Sequence, residues 1–98
     1  MHYVYILYSE KIDRYYIGET HDVAQRLRRH NEDYYENKWS SRGKPWILYL
    51  SLACTNRSQA KALESFIKRM KSRRFIESLK QDEKKRESLL LRFTNKDG

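Results

Sequence analysis

Apolar and polar residues alternate with period two near the start of the chain, where "VYILYSEKIDRYYIG" (Val4 to Gly18) holds two strand-like runs around the polar "SEKIDR". Val4 and Ile6 alternate with Tyr3, Tyr5 and Leu7, and Ile17 alternates with Tyr16 and Gly18, a composition rich in strand formers. The spacing predicts an antiparallel hairpin with Asp13 in its turn, but no Asn-Gly or Gly-X pair at the corner sets the register. With an even-residue turn, Tyr3, Tyr5, Tyr16 and Gly18 share one face, and Val4, Ile6 and Ile17 share the other. In "THDVAQRLRRHN" the period lengthens to that of a short helix, with Val23 and Leu27 four apart, Thr20 or Asp22 able to cap and Asn31 able to terminate. Arg26 and His30, also four apart, lie on one stripe of it, turned back toward the hairpin.

Glu32 to Pro45, "EDYYENKWSSRGKP", is polar, basic and aromatic at once, and longer than an idle connection in a compact domain, which makes it a candidate substrate loop. "WILYLSLAC" is the most continuous apolar run and reads as a strand buried on both faces or nearly so. "TNRSQAKALESFIKRMKSR" sets Ala60, Leu63, Phe66, Ile67 and Met70 at helical spacing, with Thr55, Asn56 or Ser58 to cap it. A further helix spans roughly Arg73 to Lys80 behind it, and the charge run "QDEKKRES" precedes an apolar "LLLRF" that the pattern does not place. The expected organisation is one domain over residues 1–80 and a charged C-terminal extension, helical in part, over 81–98; a chain of 98 residues has one core to share.

Charge sharpens this picture. The 21 Lys and Arg against 13 Asp and Glu leave a net charge of +8, so polyanions are the leading partner class, and binding to a phosphate backbone should weaken with salt. The plainer alternative is a solvated basic surface without specificity. Cys54 is the only cysteine, which excludes an intrachain disulfide and a thiolate zinc cage and fits the reducing cytoplasm. "MHYVYILYSEK" lacks the basic start and long apolar run of a signal peptide, and no stretch approaches the ~20 apolar residues of a membrane span.

Any one of the eight tyrosines is most simply a strand residue with its ring packed and its hydroxyl in water. A glycine inside the second strand changes that reading, because it costs stability and marks a close approach by backbone or ligand. Arg26 offers a planar fork for a phosphate, and His30 one turn on can exchange a proton near neutral pH. Glu64 lies between Ala60 and Ile67 on a stripe that otherwise faces the core, so its carboxylate needs a partner. A salt bridge is the commoner answer; a divalent cation completed by substrate phosphates and water is the other.

Taken in order, "YVY" at Tyr3 to Tyr5, "YIG" at Tyr16 to Gly18, Arg26-x-x-x-His30 and the later helical Glu64 resemble the GIY-YIG nuclease family, most closely its small single-domain bacterial branch, similar to the N-terminal domain of excision-repair nucleases. The resemblance continues through "WSSRGKPWILY" and "FIKRMKSR". It implies an α/β domain with a three-stranded antiparallel sheet flanked by helices, and hydrolysis of phosphodiester bonds in DNA. By the same resemblance Tyr5 activates water, Tyr16 supports it and contacts phosphate, Arg26 stabilises the scissile phosphate, His30 assists proton transfer, and Glu64 anchors one Mg²⁺ or Mn²⁺ ion. Gly18 leaves room for the substrate, while Lys38, Arg42, Lys44, Lys68, Arg69, Lys71, Arg73 and Arg74 grip the backbone. Two positions depart from the family pattern: Tyr3 stands where the first motif has glycine, and "RRFIESLKQDEKK" lacks the asparagine that many members place after the metal-binding helix, Asn95 lying far down the tail.

Three functions are open at this stage. The first is a metal-dependent endonuclease acting on structured or branched DNA. The second is a nucleic-acid-binding module of the same fold without turnover, motivated by the missing asparagine. The third is a basic RNA-associated protein. Trp39, Tyr34 and Tyr35 could stack on unpaired bases in each.

Overall fold

The computed structural model describes residues 1–32 and 39–94, with the backbone alone at Trp39 and Ser40. The hairpin forms as the alternation predicts: β1 (His2–Ser9) pairs antiparallel with β2 (Arg14–Thr20), placing Tyr5 opposite Gly18 and Ile6 opposite Ile17. β3 (Ile47–Cys54) adds to the other side of β1, giving the order β2-β1-β3 with β1 central. Four helices, α1 (Val23–Asn31), α2 (Arg57–Met70), α3 (Arg73–Gln81) and α4 (Glu83–Arg92), complete an α/β domain of a three-stranded antiparallel sheet flanked by helices, and a 3₁₀ turn spans Trp39–Gly43. None of the described helices is long and apolar enough to cross a membrane.

The hairpin corner, which lacks a glycine, is held from outside. Asp13 takes the left-handed conformation at φ 52, which Asp tolerates better than most residues. Its carboxylate accepts from both terminal nitrogens of Arg73 at 2.7 and 3.0 Å and from the Tyr8 hydroxyl at 2.6 Å. Each helix opens on a side chain that accepts from an otherwise unpaired first-turn N–H. Asp22 caps α1 (from Gln25 N, 3.0 Å) and Asn56 caps α2 (from Gln59 N, 2.8 Å), while Ser72 and Asp82 do the same for α3 and α4. Asn31 does more than end α1: its amide donates to the Trp46 carbonyl at 2.8 Å and accepts from the Trp46 N–H, clamping the helix to the start of β3.

Helices cover both faces of β1, so Val4, Tyr5, Ile6 and Leu7 are all fully buried. Val4 and Ile6 meet Ala60, Leu63 and Ile67 of α2, with Ile76, Leu79 and Leu89 behind; Tyr5, Leu7 and Trp46 form a second cluster bordered by Val23 and Leu27 of α1. The strand buried on both faces is therefore β1 rather than the "WILYLSLAC" strand. β3 is an edge, and Ile47 and Leu48 are 54% and 42% exposed. The pattern misleads because tyrosines in a central strand look amphipathic, while an edge strand can keep apolar residues in water. Met70, at the end of the apolar stripe of α2, is likewise exposed. The apolar "LLLRF" lies in and just after α4, where Leu89 joins the core and the Leu90 carbonyl accepts from Gln59 Nε2 at 2.8 Å.

Candidate active site

The sheet face under α1 carries the aromatic and imidazole groups. Tyr5 projects from the central strand, and its hydroxyl lies 3.2 Å from Nε2 of His30, itself only 2% exposed. The half-buried Tyr16 ring stands 4.4 Å from the His30 ring and 6.2 Å from that of Tyr5, with Trp46 closing the cluster. Gly18 explains how Tyr5 fits: a Cβ there would lie 2.6 Å from the Tyr5 hydroxyl oxygen and 2.7 Å from Cζ. The close approach inferred at this glycine is thus made by the protein's own phenol. Gly18→Ala should cost about 1–3 kcal/mol by overpacking, read as a lower denaturation midpoint at unchanged m.

Burial, helped by the neighbouring Arg26 charge, pushes the His30 pKa down to about 4. Desolvation therefore favours the neutral imidazole at neutral pH. The unfolded chain regains the ordinary value near 6.5, so it binds the proton first as pH falls. The stability that His30 contributes is complete above about pH 6.5 and is lost progressively down to about pH 4. Unfolding free energies across that range should fall with pH by about 3 kcal/mol more in the wild type than in His30→Gln; parallel profiles would contradict this.

Arg26 lies one turn before His30, half-buried, in a polar cavity of about 320 Å³ that it lines with His2, Glu19, Thr20, His21 and Arg57. Glu19 stands between two of these, with Oε1 3.6 Å from Arg57 Nε and Oε2 3.3 Å from His2 Nε2. The second contact is not aligned as a hydrogen bond, leaving that buried oxygen with only the attraction of a nearby imidazole. The cavity sits where β2 ends at the free edge of the sheet. Sequence reasoning missed Arg57, Glu19 and His2, which no motif spacing connects.

Glu64 is on the other side. α2 packs its Ala60, Leu63 and Ile67 against the Val4 and Ile6 face, and the Glu64 carboxylate, 18% exposed, pairs with Lys68 Nζ at 3.2 Å. This is the salt bridge that burial called for. Of the five expected residues, Tyr5, Tyr16 and His30 touch, Arg26 adjoins His30, and Glu64 is carried by α2, which packs on the Val4 and Ile6 face of the sheet. The physical reason is that Tyr5 and Val4 are adjacent in one strand and must face opposite ways, and α2 takes the Val4 side.

Among the described residues no group of three or more His, Cys, Asp or Glu is placed to hold a metal ion. A single carboxylate can hold a magnesium-type ion where phosphate oxygens and water supply the remaining ligands, and the Glu64 carboxylate, 18% exposed, would share it with Lys68.

The basic residues divide. Lys68 and Lys71 line a second cavity of about 320 Å³ with Arg14, Tyr15, Ile17 and Ser72. Arg73 shares that cavity, but its guanidinium is engaged by Asp13 at 2.7 and 3.0 Å and braces the hairpin corner. Arg42 and Arg74 are exposed and Lys44 is half-buried. Lys38, Tyr34 and Tyr35 lie outside the described residues, as do Asn95 and the Trp39 side chain.

No curated protein matches the chain, and neither does any solved structure. The sheet order, the Tyr5–Gly18 pairing and the Arg26–His30 stripe are nevertheless accompanied by a family match that spans most of the sequence: the GIY-YIG catalytic domain matches residues 1–87, and the chain belongs to the GIY-YIG nuclease family.

Proposed function

We propose that this protein is a divalent-metal-dependent endonuclease that hydrolyses phosphodiester bonds in DNA, with branched or interrupted duplexes as preferred substrates. The observation that carries the reading is the cluster of Tyr5, Tyr16 and His30, with Arg26 beside it in the cavity at the end of β2. Arg26 binds the scissile phosphate through two parallel hydrogen bonds and stabilises the charge that develops on it. Tyr16, half-buried where Tyr5 is fully buried, is the phenol that reaches the substrate and orients the attacking water. Tyr5 and neutral His30 act through it as positioning residues, holding each other at 3.2 Å. Glu64 would hold one Mg²⁺ or Mn²⁺, which when bound supplies Lewis-acid stabilisation of the leaving oxygen. Direct attack by water needs no covalent intermediate. The cytoplasm is the compartment we assign, since the single cysteine, Cys54, is buried and free.

The test is cleavage of a panel of single-stranded, duplex and branched DNA with Mg²⁺ or Mn²⁺. Products are expected with the wild type and not with Glu64→Gln, whereas equal activity in the variant rejects the role of Glu64. The second reading, a binding module without turnover, draws support from the separation of Glu64 from Tyr5 across the sheet. Salt-sensitive DNA binding with no products from any substrate would establish it.

A further inference from the structure

The core face of α2 is occupied by Ala60, Leu63 and Ile67. Arg57, Lys61, Glu64 and Lys68 recur along the same element at spacings of four, three and four, which puts them on one flank about a quarter-turn from that core face, and Lys71, the left-handed residue that caps its end, lines the same cavity as Lys68. Both ends of this flank are located by the cavities they line. Arg57 meets Glu19 and Thr20 at the end of β2, while Lys68 and Lys71 meet Arg14, Tyr15 and Ile17 nearer its start. The flank therefore runs antiparallel along β2, an edge strand whose outer side has no strand partner among the described residues. Glu64 stands seven residues from each end.

We propose that the free edge of β2 and this flank of α2 form a single track for one DNA strand, its phosphates contacting Arg57, Lys61, Lys68 and Lys71 with Glu64 at the midpoint. The choice of DNA as the polymer rests on the nuclease reading; the track is a claim about binding. From Arg57 to Lys71 is about 21 Å along the helix, long enough to follow several phosphates of one strand. The charge is complementary to such a partner. Arg57, Lys61, Lys68 and Lys71 are all exposed. Two track cations share their charge with acids at its border, Arg57 with Glu19 and Lys68 with Glu64, and Arg73 off the track holds Asp13. Outward-facing N–H groups on the free edge of β2 add donors of the kind that hold phosphate without reading sequence. Arg69, next to Lys68, points about 100° further round the helix and lies off the track.

The experiment is equilibrium binding of a fluorescein-labelled duplex in EDTA, followed over about 50–200 mM salt, the range in which phosphate contacts declare themselves. Arg57→Gln, Lys61→Gln, Lys68→Gln and Lys71→Gln should each reduce the slope of log K against log salt by about 1, and pairs from opposite ends should add. Lys84→Gln and Arg92→Gln, both exposed in α4, should leave it unchanged. Unchanged slopes in the four track variants, or equal losses in the two controls, overturn the proposal. Because metal is absent, the outcome separates from turnover: reduced slopes in a protein that never cleaves keep the track and sink the nuclease, and cleavage with unaffected slopes does the reverse.

Discussion

Truncating Trp46 to alanine should lower the free energy of unfolding by about 3–5 kcal/mol, a large share of the ~5–15 kcal/mol that holds a domain of this size together. Trp46 is 2% exposed, and its ring closes the cluster of Tyr5, Tyr16 and His30. Its backbone is clamped by both polar atoms of the Asn31 amide, and Gly43 lies so close beneath the ring that a Cβ there would be 2.7 Å from Cε2. Neighbours fixed this firmly cannot collapse into the space an indole leaves, so the cavity term stays near its upper range. Chemical denaturation of Trp46→Ala and Trp46→Phe checks this. The phenylalanine variant should retain a substantial part of the stability, and a loss below about 1 kcal/mol for alanine would show that the cluster repacks.

Removing the guanidinium in Arg26→Ala should lower turnover at saturating DNA by about 10²–10³-fold, the usual loss for one charge-stabilising donor. Arg26→Lys should recover only part, because an ammonium cannot make the paired contact to phosphate. A second readout does not depend on cleavage. Arg26 adds to the depression of the His30 pKa, so His30 should titrate above its value of about 4 once that charge is gone. An NMR titration of the imidazole follows this directly. Lost activity without movement of the His30 titration would mean that Arg26 and His30 are farther apart in solution than the stripe of α1 places them.

The legible parts of this protein are those that local geometry dictates. Period two in "VYILY" and "YIG" put Tyr5 and Gly18 on one face, and period 3.6 in α1 and α2 placed Arg26 beside His30 and Ala60, Leu63 and Ile67 on a core stripe, while the pairing of Tyr5 with Gly18 came only with the fold. The cap candidates were legible as a choice, Asp22 over Thr20 and Asn56 over Thr55 or Ser58, because several oxygens near a helix start can reach the same N–H groups. Glu64 illustrates where such reasoning stops. Its need for a partner followed from its neighbours on the helix, but the side of the sheet on which α2 would lie did not.

What the sequence determined by itself is the set of elements, the faces they present and the excess of positive charge, since each depends on residues close together in the chain. Only the tertiary structure decided which strand is central, that Gly18 yields to the Tyr5 ring, that Arg73 is engaged by Asp13 sixty residues away, and that His30 is dry enough to stay neutral. These outcomes depend on desolvation and on contacts between distant segments, and both arise only when the helices close over the sheet.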